Sequence, residues 1–178
     1  MTVIVQKGHR ALRKTSRPVK EEEFGSEYIS NIVTNMKNCL EGERDGVALA
    51  APQIGENIRL FIISWKVFAV KDDVDIAEDT SFDDFKNMYD FKIFINPEIV
   101  NTSKKIESMD EGCLSVRPLY GKVERASKAR IRAQDEKGEV FEMGGSGLLA
   151  QIFQHEIDHL DGILFIDKAK GLYNPDNE

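Results

Sequence analysis

His155-Glu156-Ile157-Asp158-His159, following the apolar run Leu148-Leu149-Ala150-Gln151-Ile152-Phe153, constrains the fold more than any other stretch of the chain. On an α-helix, positions i and i+4 lie on one face, so both imidazoles point at one divalent ion while Glu156 faces a water beside it. Leu148 and Ile152 fall on that same face. The pattern therefore predicts a helix that lays its histidines against strands and keeps bulk water from the ion, with Gly162 as its stop. This reads as a hydrolytic metal site; the competing reading is a charged helix turn.

The rest of the chain offers the strands such a helix needs. Arg59 to Ser64, Phe91 to Ile95, Glu98 to Asn101, Ala129 to Gln134 and Val140 to Met143 read as short strands, with Asp135-Glu136-Lys137-Gly138 turning between the last two. Tyr28, Ile29, Ile32, Val33, Met36 and Leu40 repeat with helical spacing and stop at Glu41-Gly42, which predicts an amphipathic helix over 26 to 41 with Cys39 on or beside its buried face. Without regular β-α alternation, these elements predict an α+β fold: short antiparallel strands packed around a C-terminal metal-binding helix, with a second amphipathic helix. At 178 residues one domain spanning 1–178 is expected.

Charge and composition exclude several functions. No apolar run approaches the ~20 residues of a membrane span, and none behind Met1 resembles an export signal, so a soluble cytoplasmic protein is expected. Six basic residues precede Glu21 with no acidic one, but the segment is short and Pro18 interrupts it, so it reads as a solvated start and not a transit peptide. The net charge of −7 argues against nucleic-acid binding. Asp72 to Asp84 carries seven carboxylates and no base, which predicts a solvated loop or insertion, a partner-binding segment being the alternative. With only Cys39 and Cys113, and no export signal, both thiols are expected to be reduced.

Catalytic zinc-type sites use three protein ligands and leave one position for water, so the histidine pair needs a partner. His159-Leu160-Asp161-Gly162 begins a longer motif that requires a further histidine where this chain has Phe165. A glutamate some twenty residues downstream would have to come from the short tail ending at Glu178, around Asn174-Pro175, where no helix is signalled. Cys113, in Glu111-Gly112-Cys113-Leu114-Ser115, ranks first: it either completes a Cys-His-His set or is a small buried hydrophobe. In Gly46-Val47-Ala48-Leu49-Ala50-Ala51-Pro52-Gln53, small residues allow close backbone approach to a strand or a substrate, and Gln53 offers an amide donor.

Taken in order, Gly46 to Gln53, Glu111 to Ser115 and Gln154 to His159 closely resemble the three motifs of peptide deformylases, and the flanking Leu12-Arg13-Lys14 to Pro18-Val19 and Asn96-Pro97 agree. The resemblance implies an enzyme that removes the N-formyl group from the N-terminal methionine of newly synthesised proteins, with Cys113, His155 and His159 holding the metal. It further implies that Glu156 is the general acid/base, and that Gln53 and the Leu114 backbone N–H meet the charge on the formyl oxygen. Substrate would pair along Gly46, Val47, Ala48 and Leu49, with its thioether in an apolar pocket; Val47, Leu148 and Ile152 are candidates for that pocket, core packing being their other reading. Chemistry alone names zinc, whereas the family implies Fe²⁺, with Zn²⁺, Ni²⁺ or Co²⁺ able to occupy the site. The implied partners are N-formylmethionyl nascent peptides and, transiently, the ribosome. By analogy Arg125 pairs with Asp158 and anchors the ligand helix.

Three positions depart from the family's pattern: Ala48 stands for its second glycine, Arg117-Pro118 for a frequent Pro-Gly, and the insertion from Lys71 to Tyr89 is unusually long. They bear on substrate preference and rate, not on reaction type. The rival readings are a zinc-dependent peptidase of another class, and a metal-stabilised binding protein that has lost catalysis and docks a partner through the acidic segment.

Overall fold

Two helices lie on opposite faces of one antiparallel sheet in the computed structural model, which describes residues 2–71 and 90–177. Helix α1 (Glu27–Glu41) starts where expected, because the Ser26 hydroxyl accepts from the Ile29 N–H at 3.3 Å. Its buried residues Ile29, Ile32, Val33, Met36 and Leu40 form the apolar stripe read from the sequence. The sheet has the order β1-β2-β3-β6-β7, with β1 (Ala48–Ala50), β2 (Leu60–Ile63), β3 (Lys92–Thr102), β6 (Lys128–Gln134) and β7 (Val140–Ser146). A second sheet, β4-β5-β8, joins Ile106–Gly112, Tyr120–Ala126 and Lys170–Tyr173. Within both sheets the described strands pair antiparallel, an isolated bridge between Arg17 and Ile58 being parallel, and the fold class is the expected α+β.

Strand β2 explains the layering. Its four residues are all buried because both faces are covered. Leu60 and Ile62 pack with α1, while Phe61 and Ile63 pack with helix α3 (Leu148–Leu160) on the other face. There Phe61 stacks on Phe94 with ring centroids 4.6 Å apart, and Phe153 of α3 meets Phe94 edge-on at 5.7 Å. A third cluster of Leu12, Val116, Val123, Leu164 and Phe165 ties the N-terminal segment to the second sheet.

Several boundaries differ from the pattern reading. The two strands expected at 91–95 and 98–101 are the single β3, because Asn96 adopts φ 50° and the register shifts between Ile95 and Glu98. Asn tolerates that conformation, and its side chain brackets Val19, accepting from the N–H and donating to the C=O at 2.8 Å each. Strand β7 runs on through Gly144–Ser146. Strands β1, β4, β5 and β8 and the short helix α2 (Trp65–Lys71) carry no strong period and were not expected. The acidic segment Asp72 to Asp84 lies outside the described residues.

Helix α3 ends as expected. Gly162 has φ +78°, and a Cβ there would lie 2.9 Å from the Arg13 carbonyl carbon, so only glycine lets the chain turn this close to the N-terminal segment. Among the described residues no helix is long and apolar enough to cross a membrane.

Candidate metal centre

Helix α3 brings His155 and His159 side by side, with ring centroids 4.9 Å apart at 78°. Beyond the end of β4, Cys113 enters from the second sheet and places its Sγ 3.2 Å from the His159 Nε2. The possible ligand atoms of Cys113, His155 and His159 all lie within 4.8 Å of one another. The apolar face of α3 grades along its length: Leu148 is 51% exposed, Ile152 is buried and His159 is fully buried. The face thus runs from a cavity mouth down to the ligands.

A network of charges orients the histidines. Glu111 accepts from Arg125 through both oxygens, at 2.7 and 2.9 Å, and its Oε2 lies 2.9 Å from the His155 Nδ1. With Nδ1 engaged, the other nitrogen of His155 is left for an ion. Arg125 also donates to Asp158 at 2.7 Å, the pair implied by the family resemblance, and the Lys168 ammonium bonds both Asp158 oxygens. Glu111, Arg125 and Asp158 are all buried, so each charge is compensated within the network.

These surroundings tune the titrating groups. For Glu111, burial alone would raise the carboxyl, but the bonds to His155 and Arg125 outweigh it and hold the group down at about 2. Burial, reinforced by any charge on His155, lowers His159 well below its ordinary value and keeps it in the neutral form that binds metal. At His155 burial acts in the same direction, yet the bonds to Cys113 and Glu111 prevail and raise it well above its ordinary value. Glu156 is pushed up by burial to about 7. A carboxyl poised there both takes and returns protons at neutral pH.

The Glu156 Oε2 and the His159 Nδ1 are buried without a hydrogen-bond partner. An orphaned carboxylate oxygen beside one sulfur and two imidazoles fits a divalent transition ion with a water in reach of Glu156. Gln53 is also buried, on the short turn Ala51–Ile54 that follows β1. Its Oε1 accepts from the Ala50 N–H at 2.9 Å, which turns the amide Nε2 toward Ser115 (3.2 Å) and Cys113 (3.5 Å).

A cavity of about 310 Å³ opens over these groups. Gln53, Leu114, His155 and Glu156 line it, as do Gly46, Val47, Ala48, Leu148 and Ile152. Leu49 does not: strand alternation turns its side chain into the core beneath α1, and its backbone faces Ile62 of β2, so neither is open to a substrate. Val47 C=O accepts from Ser64 N–H at 2.8 Å, so by antiparallel alternation Ala48 turns its N–H and C=O away from β2, along the sheet's free edge. The methyl that distinguishes Ala48 from glycine belongs to the core shared with Ile152.

Sequence reasoning missed two parts of this site. Glu111 stands two residues before the ligand cysteine, and that place in the cysteine motif was its only signal, its burial being visible in the structure alone; Lys168 gave none. Cys39 and Cys113 are not joined by a disulfide.

Comparison with known proteins agrees with the geometry. The family model described as polypeptide deformylase matches residues 1–174. Peptide deformylase 2 of Clostridium perfringens is 39% identical over 170 residues, covering 96% of this chain and 94% of the relative. Among solved structures, the peptide deformylase of Thermotoga maritima superposes with a TM-score of 0.75 at 31% identity, covering 96% of this chain and 99% of that one. The Met-Ala-Ser-bound class I type b peptide deformylase of Acinetobacter baumannii gives 0.75 at 29% identity, covering 94% and 99%.

Proposed function

The chain belongs to the peptide deformylase family, and from that premise we propose which of its residues carry the reaction. It is a metal-dependent hydrolase that removes the formyl group from the N-terminal methionine of nascent proteins and releases formate. In our reading Cys113, His155 and His159 hold the ion, Fe²⁺ in the cell, with Zn²⁺, Ni²⁺ or Co²⁺ able to replace it. When bound, the ion supplies Lewis acidity and lowers the pKa of a neighbouring water from 15.7 toward about 7.

The protein's own groups do the rest. Glu156 takes the proton of the attacking water and delivers it to the amine nitrogen as the C–N bond breaks, a transfer suited to a carboxyl near 7. Gln53 Nε2 and the Leu114 N–H donate to the formyl oxygen as charge develops there. Gln53 is already oriented for this by Ala50, so it loses little freedom at the moment of reaction. Glu111 and Arg125 fix the ring of His155 without touching substrate.

The formylated peptide adds to the free edge of β1 through Gly46 to Ala48, and Leu49, whose backbone faces β2 and whose side chain lies beneath α1, only supports that edge. Its thioether enters the apolar wall of Val47, Leu148 and Ile152. Met-Ala-Ser is bound in the A. baumannii relative, and we carry that peptide type over to this chain. Residues 1–178 act as one catalytic domain in the cytoplasm, meeting nascent chains at the ribosome transiently and without binding nucleic acid.

The observation that carries the assignment is the convergence of one sulfur and two imidazoles beside Glu156 at the floor of a cavity. The test is formate release from formyl-Met-Ala-Ser by anaerobically purified protein, run beside acetylated and unblocked peptides, with elemental analysis of the same sample. Formate from the formylated peptide alone, with iron near stoichiometric, is expected. Cleavage of peptide bonds in the controls, or no formate from metal-loaded protein, rejects the assignment.

A further inference from the structure

Arg117 stands at one of the positions where the sequence departs from the family's usual pattern, and it lines the cavity mouth. Its guanidinium reaches across to the segment that leads from α1 into β1, donating to Glu43 at 2.8 Å and to Asp45 at 2.5 Å. We propose that this clasp makes Arg117 a positioning residue for substrate: it holds the Glu43–Val47 segment against the loop that follows Cys113, and so keeps the peptide-pairing edge of β1 in its binding geometry. The inference rests on the deformylase reading above.

The segment is anchored at its ends, where Glu43 N–H donates to Leu40 C=O at 3.1 Å and Val47 C=O accepts from Ser64 N–H at 2.8 Å, but its middle is held weakly. Its own backbone bond, Gly46 N–H to Glu43 C=O, is long at 3.4 Å, and the Lys66 ammonium reaches the Glu43 and Arg44 carbonyls only at 3.4 Å. Gly46 is pressed between α1 and the cysteine loop, since a Cβ there would meet Leu40 at 2.7 Å and Leu114 at 3.4 Å. Close approach of that kind is useful only if the segment stays put. The two charged bonds of Arg117 span the gap, and they join the wall that pairs with substrate to the loop that supplies the Leu114 N–H. Arg117 touches none of the groups that hold the metal or move the proton.

Both ion pairs are partly exposed, with side-chain exposures of 43% for Arg117, 28% for Glu43 and 59% for Asp45. Breaking them releases the edge for part of the time, and apparent affinity falls by the fraction of molecules that remain competent. Two exposed pairs shift such an equilibrium by about five-fold together. The effect belongs in KM, and salt should reproduce it, because the screening length shrinks from about 10 Å at 0.1 M to about 3 Å at 1 M.

The experiment is formate release from the uncharged substrate formyl-Met-Ala-Ser-amide by the intact metal-loaded protein and its Arg117→Ala and Arg117→Lys variants, from low salt to molar NaCl. Expected for Arg117→Ala at low salt is a KM raised by up to about five-fold, with kcat within about two-fold and a melting temperature lowered by no more than about 2–4 °C. The parent's KM should climb with salt and converge on that of the variant, which stays flat. Arg117→Lys should recover part of the difference, since a point charge cannot fork to both carboxylates. An unchanged KM in Arg117→Ala overturns the proposal, and so does a raised KM with a fallen kcat and no convergence in salt, the mark of general loosening. Absence of formate from the parent overturns the deformylase reading, and this inference with it.

Discussion

Glu111→Gln isolates what the buried carboxylate contributes. The side chain keeps its shape and loses its charge, and its amide can no longer accept from two Arg125 nitrogens and the His155 Nδ1 at once. One donor then faces another in a site from which water is excluded. The magnitude follows from the carboxyl being held at about 2 against an ordinary 4.5, which corresponds to about 3 kcal/mol favouring the ionised form on folding. Removing one partner of a buried ion pair independently costs about 3–5 kcal/mol. For a chain of this size about 3 kcal/mol lowers the melting temperature by roughly 6–12 °C. Because the folded pKa is depressed, this stability is complete above 4.5 and is lost as pH falls toward 2, so the parent should weaken over that window more than the variant does. His155 would also lose its orienting acceptor, and chelator competition should show metal affinity reduced about 10–100-fold. A melting temperature within about 2 °C of the parent, together with unchanged affinity, would refute the assigned role of Glu111.

Two further substitutions test the reacting groups. Gln53→Ala should retain its metal and lose turnover by about 10²–10³, the usual effect of deleting one oxyanion donor; near-normal kcat would remove Gln53 from the mechanism. Glu156→Gln should abolish formate release with metal still bound. In EDTA-treated protein the same substitution reads the burial of Glu156 directly: a folded pKa raised to about 7 gives stability that is complete below 4.5 and fades as pH rises through 7. Urea midpoints of the parent should therefore drop between pH 5 and pH 8 by an amount worth up to about 3 kcal/mol, and those of Glu156→Gln should drop less. Parallel shifts in the two proteins would count against the raised carboxyl.

Much of this site was legible because its signals are local. The i, i+4 histidines and the Gly162 stop depend on a few neighbouring residues, and helix geometry converts their spacing directly into direction. The second sheet was opaque for the opposite reason. In β4 only Glu111 is buried, and its alternating exposure comes from pairing with β5 across a distant part of the chain. The same holds for β1, whose three small residues gain strand geometry only by pairing with β2.

By itself the sequence determined which chemistry is present: a paired-histidine helix, a cysteine in a glycine turn, an amide beside small residues, and from these the family. Tertiary structure alone decided how that chemistry is set. It placed Glu111 between Arg125 and His155, moved Leu49 out of the cavity, and carried Arg117 across the mouth to Glu43 and Asp45. The physical reason is that burial and charge compensation are properties of groups brought together in space. A residue's type fixes what it can donate, accept or bind; only its packed neighbours fix its pKa, its partner and its access to substrate.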